Sequence, residues 1–264
     1  MSSLTVASRA VLALFKTGAW RALKTHGAET RAENARHNLS DEAKVQVRIC
    51  SHPSLVAIIK LHGEARTAHY RLTLPAADDG LRLLAGQLQM EHSRTMREYG
   101  DRHETLVAEF VAAYGAERDS APARLNGLYL ASQWPSSQEV KTRFKFCSRY
   151  LPVPVMGQWD EWLNESAEQA EGELKSRLAD AVTKLAHKLA TPDSVFRDTL
   201  LSNLTDICSL AGDLNLRDDP IINQVTQQSK QLVADVTLDQ LREDATIREM
   251  AAARAASIAG LFQL

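Results

Sequence analysis

Between Gln158 and Leu189, apolar or small residues fall at Leu163, Ala167, Ala170, Leu174, Leu178, Ala181, Leu185 and Leu189. Steps of three and four mark one face of an α-helix, and Leu163, Leu174 and Leu185 are each eleven residues apart. A second stretch, Asp78–Tyr114, carries Leu81, Leu84, Leu88, Tyr99, His103, Leu106, Phe110 and Tyr114 in the same rhythm, with a weak polar middle. Each stripe must be buried, and the simplest cover for each is the other, in an antiparallel hairpin. The expected fold class is therefore mainly α: a long, coiled-coil-like helical hairpin with a small β element and additional C-terminal helices.

The remaining chain divides into three expected parts: a basic arm over 1–36, a core over 37–190 and a C-terminal helical region over 191–264. The arm sets Arg9, Lys16, Arg21, Lys24, Arg31 and Arg36 against Glu29 and Glu33, with a loose helical stripe interrupted at Gly18. Trp20 beside this basic face suits a membrane surface or a partner's groove, and the alternative is a short helix packed back on the body. Alternation in Lys44–Cys50 and His69–Leu74 predicts two short strands flanking a helix that starts near Pro53. Asp78 or Asp79 is expected to cap the first long helix, and Ser120–Ala123 to break it before a short apolar helix at Leu125–Leu130. Ser136 and Glu139 stand at capping-box spacing ahead of a strand through Phe144 and Phe146 that ends at Pro152. Helix starts are expected at Pro192 and Pro220, the first of these helices ending at Gly212, and the last stretch, Leu238–Leu261, as a peripheral helix.

Composition excludes more than it assigns. Apolar residues at 44% suffice for a core, and 31 Lys+Arg against 33 Asp+Glu leave a formal charge of -2. Such a chain has no global pull towards nucleic acid or anionic lipid, so binding of either would need a local patch. Cys50, Cys147 and Cys208 form no CxxC and are expected as reduced thiols. The apolar run Ala10–Phe15 is too short for a signal-peptide core, and nothing approaches the roughly 20 apolar residues of a membrane span. The expectation is a soluble, cytoplasmic protein.

Phosphate-loop, dinucleotide-fold, nucleophile-elbow and HExxH motifs are all missing from the sequence. No catalytic residue, metal ligand or cofactor is assigned, and the protein is expected not to be an enzyme. His92 and His103 share a helix face but would need further ligands to hold a metal, and are expected to bond to neighbours instead. Glu161, Glu165, Glu168 and Glu171 flank the second stripe as a solvated face. The one stretch with binding character is Lys141–Tyr150 (KTRFKFCSRY). Period two puts Lys141, Arg143 and Lys145 on one side and Phe144 and Phe146 on the other. Lys141, Arg143, Lys145 and Arg149 are the candidate nucleic-acid contacts, since phosphates draw cations and bases stack on rings. The glycines of an RNA-recognition strand are missing, and an edge strand shielded by lysines has the same pattern.

Tyr70–Leu84 (YRLTLPAADDGLRLL) and Trp134–Pro154 (WPSSQEVKTRFKFCSRYLPVP) resemble a family of uncharacterised accessory proteins of tailed phages and prophages. The resemblance spans about Lys44 to Leu189, and Ala76 stands where the family usually carries tryptophan, as in a divergent member. It implies no catalytic residues and a host-cell cytoplasmic setting. Some members are encoded near MoxR-type AAA+ ATPases and von Willebrand A domain proteins, which puts an AAA+ ATPase among the candidate partners. The leading functional expectation is a non-catalytic phage interaction or scaffold protein that self-associates or docks on a protein partner through helical surfaces. The alternative is a DNA-metabolism accessory protein that binds nucleic acid through the basic strand.

Overall fold

A computed structural model describes residues 3–76, 80–154, 159–191 and 199–262 of the chain. The order is α1 (Ser3–Arg9), β1 (Ala10–Gly18), β2 (Leu23–Thr25), α2 (Gly27–Arg36), β3 (Gln46–Arg48), α3 (Pro53–Leu72), β4 (Leu74–Pro75) and β5 (Leu81–Ala85). Then come α4 (Gln89–Leu125), α5 (Ser137–Thr142), β6 (Lys145–Pro152), α6 (Asp160–Ala190), α7 (Thr199–Leu214), α8 (Pro220–Asp235), α9 (Leu238–Glu243) and α10 (Ala245–Gly260). The class is the one expected: mainly helical, with a small antiparallel sheet and C-terminal helices. Among the described residues no helix is long and apolar enough to cross a membrane.

The chain forms two compact units, each assembled from separated segments, which cut across the three expected parts. One gathers Met1–Leu14, Tyr70–His92 and Arg149–Leu264, the other Phe15–His69 and Ser93–Ser148. The first unit is built around α6. Its stripe runs through Leu163, Ala167, Ala170, Leu174, Leu178, Val182, Leu185 and Leu189, all buried. The cover comes from α10, α7, β4, α1 and α8, not from the other long helix as expected. Helix α10 is no peripheral element. Ala251 and Ala255 are small enough to let it lie closely along α6, and Ile258 fills the end of the contact. Alanines carry so little apolar contrast that the sequence pattern hides this face.

The C-terminal helices are pinned by charge. Asp219 caps α8 by accepting from the Ile221 and Ile222 amides at 2.8 and 3.0 Å. Its other oxygen lies 2.9 Å from Lys175 Nζ, which also meets Glu171 at 2.7 Å. Burial pushes the Asp219 carboxyl up, but Lys175 and the Ile222 amide outweigh it and hold the pKa below its ordinary value. Glu171 also meets Arg217 at 3.4 Å, so it is a network member and not a solvated carboxylate.

Strands β4, β5, β1 and β6 form a sheet in that order, with β1 inside it and β6 at an edge. Ala10–Phe15, expected as part of a helical arm, is thus an interior strand, with Leu12 and Ala13 buried. A short continuous apolar run has no period to separate strand from helix. Conversely, Tyr70–Leu72 continue α3 instead of forming a strand, because His69 and Leu72 extend the buried face of Leu55, Ile58, Leu61 and Ala65. Two arginines close that helix: Arg82 donates to the Thr73 carbonyl at 3.1 Å, and Arg177 to the Tyr70 and Thr73 carbonyls at 3.0 and 3.2 Å. They satisfy acceptors a helix end leaves free. Pro75 is tolerated because β4 is an edge strand.

The second unit holds the antiparallel helix pair, but the partner of α4 is α3. Their contacts run in opposite order along the two chains: Ser54 to Glu109 at 3.3 Å, His62 to His103 at 3.0 Å, Glu64 to Arg102 at 3.7 Å. The expected cap at Asp78 or Asp79 lies outside the described residues, and 81–85 are strand. Helix α4 runs past the expected break with Pro122 inside it. An interior proline costs about 3 kcal/mol. Here it sits near the C-terminal end, where Ala121 is buried and Arg124 donates to the Ile49 carbonyl at 2.8 Å. Leu125–Leu130 form not an α-helix but a 3-10 turn at Asn126–Leu128 followed by extended chain. The expected helix start at Pro192 lies outside the described residues; α7 continues to Leu214, past Gly212. Asp219-Pro220 does open α8.

Candidate nucleic-acid interface

The second unit is organised by an aromatic core in which Trp20, Phe110, Tyr114, Trp134 and Phe144 meet at ring separations of 5.5–6.1 Å. Trp20 is 3% exposed, so it belongs to this core and not to a membrane surface. Tyr114 donates to the Pro135 carbonyl at 2.7 Å, and burial pushes its phenol up to about 12. Pro135 thereby fixes the entry to α5. Ser136 and Glu139 close the expected capping box: the Ser136 amide donates to Glu139 at 2.8 Å and the Glu139 amide to Ser136 Oγ at 3.2 Å. Val140, fully buried, roots the short helix in the aromatic core.

From there the backbone sends side chains alternately out and in. Arg143 is exposed, Phe144 is buried against Phe110, and Lys145 is exposed at the start of β6. Phe146 turns towards Phe15 and His103, at 5.1 and 5.5 Å. Lys141 does not share the strand's period, since it lies on α5; it is nonetheless exposed. Arg149 is exposed on β6 and belongs to the first unit.

What does join Arg143 and Lys145 is the turn between β1 and β2. At Gly18 an added Cβ would lie 3.2 Å from the Arg143 carbonyl, a tight contact that would push the neighbour back by a few tenths of an ångström, so glycine favours this approach. Ala22 is held at φ 52°, a left-handed conformation costing an L-residue roughly 1–2 kcal/mol, while its carbonyl accepts from the Ile49 amide at 2.8 Å. The turn carries Arg21 and β2 carries Lys24, and together with Arg143 and Lys145 they line an open cleft of about 500 Å³. Trp20 forms part of its wall. No carboxylate lines it, and none of the four cations makes an ion pair among the described residues. Glu139, the nearest acid along the chain, is held low by its Ser136 hydrogen bonds, with a smaller contribution from Arg143.

A second depression of about 500 Å³ between α3 and α4 has a different character. Its charges cancel internally, Glu64 lying 3.8 Å from Lys60 and 3.7 Å from Arg102. The histidines considered for a metal do not converge. His92 Nδ1 lies 2.8 Å from the Tyr150 hydroxyl in one unit, and His103 stacks on His62 in the other.

Charge is divided between the units as unevenly as within the cleft. The second unit carries 17 Lys+Arg against 12 Asp+Glu, a net +5, and the first 14 against 21, a net -7. Those sum to the chain's -2. The near-neutral total conceals the local patch that nucleic-acid binding requires. No protein-family model matches the chain, and neither a curated protein nor a solved structure shows detectable similarity to it.

Proposed function

We propose that this protein is a non-catalytic accessory factor that binds nucleic acid through the phosphate backbone, using the basic cleft of its second unit. The observation that carries the reading is the cleft: Arg21, Lys24, Arg143 and Lys145 converge there with no carboxylate in its lining. Like charges gathered without partners raise the local concentration of a polyanion and release its counterions on contact. Lys141, exposed on α5, extends the cationic surface. The rings near these cations are turned into the core, so the contact is to phosphates and not by stacking of bases. A DNA-metabolism role of this kind fits the setting that the resemblance to phage accessory proteins implies. The docking role drew on the apolar helix faces, and among the described residues those of α4 and α6 are filled within the chain's own two cores.

The test is fluorescence anisotropy of a labelled single-stranded oligonucleotide with the full-length protein across a salt series. The logarithm of affinity should fall linearly with that of salt. The variant combining Arg21→Ala, Lys24→Ala, Arg143→Ala and Lys145→Ala should flatten the slope by about 3 units, at roughly 0.7 per single-strand phosphate contact. Unchanged affinity in that variant, with its circular dichroism intact, would overturn the assignment.

A further inference from the structure

The strand that lines the cleft also belongs to a second exposed surface. Strands β2 and β3 pair antiparallel as a ribbon of two, with Leu23 opposite Arg48, Lys24 opposite Val47 and Thr25 opposite Gln46. Opposed residues share a face and successive ones alternate, so Leu23, Thr25, Gln46 and Arg48 lie on one side, and all four are exposed. The rest of the ribbon is anchored. Val47 packs against the aromatic core, the Val45 amide donates to Thr30 Oγ1 on α2 at 3.0 Å, and the His26 amide donates to the Val45 carbonyl at 2.9 Å. Lys44, two residues before Gln46, is exposed as well. Neither strand carries a carboxylate, and Lys44 and Arg48 make no ion pair among the described residues. Leu23 joins this face to the cleft, since it lines the one and stands opposite Arg48 on the other.

The form of the nucleic acid follows from what the surface lacks. A single strand brings unstacked bases, and proteins that hold one offer aromatic rings for those bases to stack on. Among the described residues the exposed Trp and Tyr side chains are Tyr70 and Trp159, both in the first unit, while Trp20 and Phe144 beside the cleft are buried. A duplex keeps its bases stacked on one another and presents phosphates at about one charge per 1.7 Å of axis, roughly twice the density of a single strand. Cations without free rings match the duplex.

We infer that the protein binds double-stranded nucleic acid, with one backbone on Arg21, Lys24, Arg143 and Lys145 in the cleft and the duplex continuing over the outer face of the β2–β3 ribbon onto Lys44 and Arg48. This rests on the cleft being the nucleic-acid site, and it adds the form of the ligand and the second surface that meets it.

The experiment measures anisotropy of a short mixed-sequence duplex, and of its two separated strands, with the full-length protein across a salt series. The duplex should bind about tenfold tighter than either strand. Combining Lys44→Ala and Arg48→Ala, both exposed, should flatten the duplex salt slope by about 1.8 units, at roughly 0.9 per contact. Single strands that bind as tightly as the duplex, with salt dependence retained, would overturn the duplex preference and leave the general nucleic-acid role standing. A duplex slope unchanged in the Lys44/Arg48 variant, with its circular dichroism intact, would overturn the ribbon's part. No binding of duplex or strand would overturn both this inference and the proposed function.

Discussion

His62 and His92 each sit in surroundings that favour the neutral ring. Burial is the main cause in both, joined at His62 by the neighbouring His103 and Arg66, and it pushes each pKa from 6.5 down to about 4. Burial also lowers His103, which shares a 3.0 Å contact with His62; a proton on both rings would leave that contact without an acceptor. Between about pH 6.5 and 4 the unfolded chain therefore binds protons that the folded chain refuses, so stability falls as pH falls through that window. The slope is about 1.4 kcal/mol per pH unit for each histidine, and it vanishes above the window, where both states are neutral. Urea midpoints measured across the range should show the loss, and His92→Gln should reduce it. Reading His92 and His103 as partners of neighbouring groups was within reach of the sequence. Which neighbours was not, because Tyr150 and His62 are 58 and 41 residues away in the chain.

Among the elements, α8 depends most visibly on a single residue. Asp219→Ala removes the acceptor of two backbone amides and the Lys175 pair at once, and the cap alone is worth about 1–2 kcal/mol. The variant should lower the urea midpoint accordingly, whereas Asp219→Asn, which keeps the capping oxygen, should recover most of it. That start was legible because Asp-Pro states a cap and a first helical residue in adjacent letters. The capping box at Ser136 was legible for the same reason, and the stripe of α6 because leucine contrasts strongly with its polar neighbours. Legibility failed where the deciding force was tertiary. The strand at Ala10–Gly18 is recognisable only once β5 and β6 stand on either side of it. The end of α3 depends on Arg82 and Arg177, which approach its carbonyls from elsewhere in the chain. The cleft lies between these cases. Arg143 and Lys145 announce themselves by alternation with phenylalanine, and Arg21 and Lys24 by the basic arm. Their meeting depends on the glycine approach at Gly18, which no local pattern encodes.

At the scale of the molecule, the path of the chain governs how it unfolds. It passes between units within β1, α3, α4 and β6, at the junctions 14/15, 69/70, 92/93 and 148/149, and no linker lies at any of them. Melting one unit frays the helices and strands it shares with the other. Urea unfolding followed by tryptophan fluorescence and by far-ultraviolet circular dichroism should therefore give coincident curves. Trp20 and Trp134 report one unit and Trp159 and Trp162 the other, so two separated fluorescence transitions would refute the coupling. The same path bears on inheritance. No single pair of breakpoints in the gene could lift the basic unit alone. A cut spanning 15–148 carries 70–92 with it, and Leu72, Leu74, Leu83 and Leu84 in that stretch belong to the acidic unit's core. Recombination cannot hand the cleft to another protein as a cassette, and the two halves must pass down the lineage together.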